Sequence, residues 1–286
     1  LLYSKAREPQ YTLGYVNGTA PVLDYRLLFG VVSGIMVVSV AVLALTIREN
    51  RLSRKNEAYE AAHPEENYAA VDSQGKEVLP KPVKRSLGFL LVSIALWYIG
   101  YNGVTTWFTT YISRVMGEGI GGASTCLLVA TGGAIVSYIP IGMVASKIGR
   151  RKTILAGAAL LAACFFVGFL VTANASAITP PMYLIFVLVG LAWAAINVNS
   201  LPMVVEMCQG SQVGKFTGYY YTFSMAAQVV TPMVAGWLLK NVSYKVLFPY
   251  AAFFVALAFL TMFFVRHGDA KPVAKDVTLD ALGGAD

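Results

Sequence analysis

Two amides, Asn197 and Asn199, stand two residues apart inside an otherwise apolar run from Met182 to Val205 of a 286-residue chain. An amide in hydrocarbon is costly unless it faces protein or water, so such a pair reports what its helix looks at. Helical spacing puts Trp193, Asn197 and Ser200 on one face and Asn199 and Glu206 on another. A second run, Leu87 to Tyr111, carries Tyr98, Asn102 and Thr105 or Thr106 at the same spacing, with Trp97 and Tyr101 adjoining. A third, Phe216 to Leu239, carries Thr217, Tyr221, Ser224, Gln228 and Thr231 at offsets of 0, 4, 7, 11 and 14, a polar stripe along one face. The run Ala123 to Ser146 contributes less: Thr131 and Tyr138, with Gly132, Gly133 and Pro140.

Rings beside uncharged donors and acceptors suit a small neutral polyhydroxylated solute such as a sugar, because rings cover its apolar face while amides and hydroxyls pair with its hydroxyls. The candidate substrate-binding residues are therefore Tyr98, Asn102, Trp193, Asn197, Asn199, Tyr221, Ser224 and Gln228. A charged solute would call for an opposite charge, and no Asp, Glu, Lys or Arg lies in the central part of any run. For a single Ser or Thr the plainer reading is a hydrogen bond that joins two packed helices. Asn102, the two Asn near position 198 and Gln228 favour a cavity instead, and Pro202 loosens the helix beside them by removing a bond to the carbonyl of Val198.

A different chemistry sits in the turn Gly142 to Thr153, where Gly149, Arg150, Arg151 and Lys152 crowd guanidinium and ammonium groups at one membrane surface. Such groups pair with acidic side chains or helix C-termini, and with Glu206 they form a candidate cytoplasmic gate. The alternative is a topological anchor. The cysteines, Cys126, Cys164 and Cys208, have no CxxC spacing and read as packing residues; His63 and His267 have no partner in sequence for zinc or acid–base chemistry. Neither a cofactor nor a metal is expected, and the clustered His, Asp or Glu of an integral-membrane enzyme are not found.

The elements that position these residues are spans. The chain is 57% hydrophobic and 13% charged, against about 25% charged for soluble domains, so its partner is the lipid bilayer. Its formal charge of +7 is spread between apolar runs rather than gathered on a soluble face, which argues against nucleic acid. Seven runs reach the roughly 20 residues a bilayer demands: Leu27 to Ile47, Leu87 to Tyr111, Ala123 to Ser146, Ile154 to Thr172, Met182 to Val205, Phe216 to Leu239 and Val246 to Val265. Most of the 22 Lys and Arg fall on one side, which the positive-inside rule makes cytoplasmic. That divides the chain into an extracytoplasmic segment 1–26, a transmembrane helix 27–47, a cytoplasmic central linker 48–85, a six-helix bundle 86–266 and a cytoplasmic tail 267–286. The opening Leu1-Leu2-Tyr3 lacks an initiator Met, a basic n-region and a cleavage pattern, and reads as the end of an earlier span. Spans one, four and seven lack polar stripes and can face lipid, so the block of six divides into two triplets, a period seen in transporters built of nested three-helix repeats.

These residues resemble the major facilitator superfamily, whose members have twelve helices in two six-helix halves. The Gly142 to Lys152 stretch is similar to the second copy of that superfamily's loop motif, G-x-x-x-D-r-x-G-R-R/K, with Ser146 in place of the acidic residue. A closer resemblance, over roughly residues 27–266, is to the glycoside-pentoside-hexuronide cation symporters and the sucrose-transporter-like carriers, solute carrier family 45 in animals. The segments that carry it are Trp97-Tyr-Ile-Gly-Tyr-Asn102, Ile196-Asn-Val-Asn-Ser-Leu-Pro-Met203 onward to Glu206, and Thr217-Gly-Tyr-Tyr-Tyr-Thr-Phe-Ser-Met225. The resemblance implies an all-α membrane protein of seven transmembrane helices, the last helix of the N-terminal half plus the complete C-terminal bundle. It implies a multi-pass symporter of the cell membrane that moves a sugar or glycoside by alternating access, with H+ or Na+ as coupling cation. The coupling carboxylate would then lie in the absent half. Export or import of another small solute driven by protons, and a receptor or subunit that transports nothing, are the competing readings.

Overall fold

The computed structural model describes residues 26–46, 70–71, 77–117, 120–172, 175, 177–208 and 212–269. The expected extracytoplasmic segment, His63 with most of the central linker, and the tail from 270 onward lie outside them. The chain separates into two compact units, 1–62 and 63–286. The first contains α1, Arg26–Thr46, an apolar helix whose Ser39 hydroxyl donates to the Ile35 carbonyl at 2.8 Å.

The second unit starts with two short antiparallel strands in the region read as linker. In them β1 (Ala70–Val71) sets Ala70 opposite Val78 of β2 (Glu77–Val78). Then come α2 (Lys81–Val115), α3 (Ile120–Ile148), α4 (Arg150–Thr172), α5 (Pro180–Val205), α6 (Val213–Asn241) and, after a 3-10 turn at Tyr244–Val246, α7 (Leu247–Met262). Each of α2 to α6, and α7 with its leading turn, is long and apolar enough to cross a membrane, and the chain is a multi-pass membrane protein. Helices are the only elements here that satisfy every backbone group inside hydrocarbon.

The helix ends depart from the apolar runs. α2 begins six residues before Leu87 and takes in Lys81 to Arg85, because Pro82 fits a first turn whose N–H groups need no partner. Lys84 N–H closes that turn on the Pro80 carbonyl at 3.0 Å, and Val83 is buried. At the other end α7 stops at Met262, and residues 263–265 continue as turns that donate to the carbonyls of Leu260, Thr261 and Met262. Pro202 does not end α5, which is helical through Val205.

The packing has the period of the two triplets. α3 and α4 lie along α5, α6 and α7 lie along α2, and α4 meets α7. Each of α2 and α5 is thus clasped by two helices of the other triplet, while α2 and α5 approach each other only slightly. The core includes Trp97, Phe108 and Tyr111 of α2, Phe165 of α4, Phe186 of α5 and Phe248 of α7, with Phe108 and Phe186 rings 4.6 Å apart. Two short bonds pin α2: Tyr111 to Thr172 of α4 at 2.6 Å, and Ser93 to Thr261 of α7 at 2.7 Å. Among the described residues, the striped helices α3 and α6 leave more of their length exposed than the plain helices α4 and α7. Position explains this: α4 packs on both α5 and α7, and α7 on both α2 and α4, whereas α3 packs chiefly on α5 and α6 chiefly on α2.

Candidate functional site

Most polar side chains in these helices bond to their own backbone. Thr131 donates to the Leu127 carbonyl at 2.9 Å, Thr153 to Gly149 at 2.9 Å, Thr222 to Gly218 at 2.8 Å and Thr231 to Ala227 at 2.6 Å. A hydroxyl four residues on from a carbonyl reaches it without tertiary help, so these groups carry no news about a site.

The gap between α2 and α5 differs. Tyr98 of α2 donates to Asn197 Oδ1 of α5 at 3.5 Å, and its oxygen lies 3.3 Å from the Tyr220 hydroxyl of α6. Asn197 Nδ2 donates to Tyr138 of α3 at 3.5 Å, and Tyr220 lies 3.2 Å from Ser200 Oγ of α5. Four helices are joined by five uncharged side chains. Aromatic rings fill the rest of the gap: Tyr101 stacks on Trp193 with centroids 3.8 Å apart and planes 6° apart, and Tyr98 meets the same indole edge-on at 5.2 Å. Aromatic faces beside exchangeable hydroxyls are what a neutral ring-shaped polyol binds.

The candidate residues distribute unevenly over this cluster. Tyr98, Trp193 and Asn197 are in it. Asn102 donates to the Tyr98 carbonyl at 2.9 Å and is half-buried at its rim. Asn199 is 2% exposed and donates to the Ala195 carbonyl at 2.8 Å, on the side of α5 away from Asn197. The α6 stripe straddles an edge: Ser224 is buried and donates to the Tyr221 carbonyl at 3.3 Å, whereas Tyr221 and Gln228 are exposed, Gln228 donating to the Ser224 carbonyl at 3.3 Å. Tyr220 is the member that stripe counting missed, because it sits one residue off the stripe. The run Tyr219-Tyr220-Tyr221 was the available signal, since three successive rings place one on each side of any helix edge.

At the basic end of the bundle a second constellation forms. Gly149 takes φ +98°, a left-handed conformation that glycine adopts without strain, and is the single residue between α3 and α4. Arg150 pairs with Glu206 at the end of α5, and its backbone N–H donates to Asp269 Oδ1 at 2.6 Å. Arg151 donates from Nη2 to the Phe263 carbonyl at 2.9 Å, while Lys152 is exposed. Ser86 Oγ of α2 lies 2.8 Å from His267 Nδ1 and accepts from Arg266 N–H at 3.3 Å. Ser146, at the acidic position of the loop motif, instead donates to the Met143 carbonyl of its own helix at 2.8 Å. The carboxylate at the start of α4 comes from Asp269, beyond the last helix, where a negative charge is favourable against the helix dipole. Asp269 escaped sequence reading because 119 residues separate it from Arg150.

Two comparisons bear on the whole. The model of the Major Facilitator Superfamily matches residues 120–280. An uncharacterized protein, YqgE of Bacillus subtilis (strain 168), is 27% identical over 197 residues, which is 66% of this chain and 44% of that protein; the chain thus spans less than half the length of the relative it matches.

Proposed function

Because the chain belongs to the major facilitator superfamily, we propose that it is part of a secondary transporter that moves a sugar or glycoside by alternating access, coupled to H+ or Na+. The observation that carries the reading is the neutral cluster of Tyr98, Tyr138, Asn197, Ser200 and Tyr220 beside the Tyr101 and Trp193 stack. Its bonds cross from helix to helix, unlike the self-satisfied threonines, and they offer hydroxyls and an amide to a solute of the same chemistry. A half-bundle of this kind supplies one wall of the path. Asn102, Tyr221, Ser224 and Gln228 belong to that wall, and Asn199 supports α5 from behind. The Gly149 to Lys152 turn with Glu206 acts as a gate on the cytoplasmic side in this reading, Asp269 completing it. A coupling carboxylate lies outside the described bundle, whose central spans carry none.

The test is uptake by the full-length protein in proteoliposomes of radiolabelled sucrose, maltose and melibiose, with and without a proton or sodium gradient. Accumulation that depends on one gradient is the expected result. No accumulation of any glycoside would sink the sugar reading.

A further inference from the structure

A cavity of about 130 Å³ lies among α2, α3, α4 and α5, and its lining includes Tyr101, the ring that stacks on the neutral cluster's indole. Phe165, Phe186 and Val189 are among its apolar walls, and Tyr101 lies on the same lining. The polar groups on its lining are two threonines and the tyrosine. Both threonine donors are spent on their own helices, Thr131 on Leu127 at 2.9 Å and Thr105 on Tyr101 and Asn102 at 3.3 and 3.4 Å, which leaves their oxygens as acceptors beside the Tyr101 hydroxyl. The lining is thus mainly apolar and offers few donors to a sugar, which needs several donors and acceptors. An enclosed apolar cavity of about 150 Å³ in another protein takes up benzene or xenon; this one is of similar size, with the exposed Thr131 on its lining.

We propose that this cavity is a binding site for a small uncharged aromatic molecule, one ring in size, distinct from the site for the transported solute. Its size admits a single ring and excludes a disaccharide. Phe165 and Phe186 offer ring faces and edges to an aromatic guest, an arrangement favoured over aliphatic contact of equal area. The guest leans on Tyr101, so its presence is felt at the stack that lines the solute cluster.

The probe is fluorobenzene, titrated by fluorine NMR into the full-length protein in lipid nanodiscs. The expected result is a saturable resonance at one equivalent. Val189→Phe, which fills the cavity from α5, and Thr131→Leu, which fills it from α3, should each weaken binding by about tenfold or more, as burial of a ring of this size predicts. Tyr98→Phe, in the neutral cluster, should leave the titration unchanged. A signal that grows linearly with concentration and is the same in wild type and both filled variants, as partition into lipid would give, overturns the proposal. So does loss of binding in Tyr98→Phe. Glycoside uptake is read separately: its absence with fluorobenzene binding intact would count against the sugar reading alone.

Discussion

The cluster between α2 and α5 and the constellation at the basic end both tie several helices together, yet by opposite means. In the middle, neutral side chains bond to neutral side chains at 3.2 to 3.5 Å. At the end, charged groups meet carboxylates and backbone, with Arg150 N–H to Asp269 at 2.6 Å and Arg151 to the Phe263 carbonyl at 2.9 Å. Charge-assisted bonds are roughly twice as strong as neutral ones, and bonds near 3.5 Å are weak. A clasp that holds helix ends together benefits from the first kind. A surface that trades its partners for those of an incoming solute benefits from the second, because each exchange costs little.

The comparison breaks most readily at Asn197. Its amide serves both Tyr98 and Tyr138 at 3.5 Å and in the proposed reading trades these for two bonds to the solute, so Asn197→Ala loses about 2 kcal/mol of solute interaction, and initial uptake should fall about 30-fold at unchanged surface abundance. Transport kinetics equal to wild type would make the cluster mere helix glue. Replacing Arg150 and Arg151 together by Gln should shift the ratio of inward-open to outward-open states by about tenfold, read by accessibility of introduced cysteines on the two faces. Equal accessibility would reduce the clasp to a topological anchor. Tyr220→Phe deletes one hydroxyl shared by Tyr98 and Ser200; KM should rise about fivefold with kcat little altered. Asp269→Asn keeps an acceptor and loses a charge, so the same cysteine ratio should move by only about twofold to threefold, less at high salt.

The helical class of the fold and the positions of the apolar helices were legible because hydrocarbon leaves so few solutions for a backbone. Their ends were less so. Lys81 to Arg85 reads as linker by charge, yet Pro82 and the buried Val83 make it the first turn of α2. Periodicity picked out Tyr98, Asn197 and Trp193, whose helices face one another, and could not tell Asn197 from Asn199, which differ by a 200° turn about α5 and by everything they touch. Partners supplied from far along the chain, Tyr220 to Tyr98 and Asp269 to Arg150, depend on tertiary packing that no local pattern encodes.

Gly149 has a mechanical consequence. It alone joins α3, 29 residues long, to α4, so the two helices share a pivot with no slack in it. At 1.5 Å per residue α3 is a rod of about 43 Å, and a rotation of about 5° about that pivot swings its far end by about 4 Å. The bonds that Arg150 makes sit next to the fulcrum, where a fraction of an ångström corresponds to that whole sweep. A loosened clasp is thus amplified along the helix.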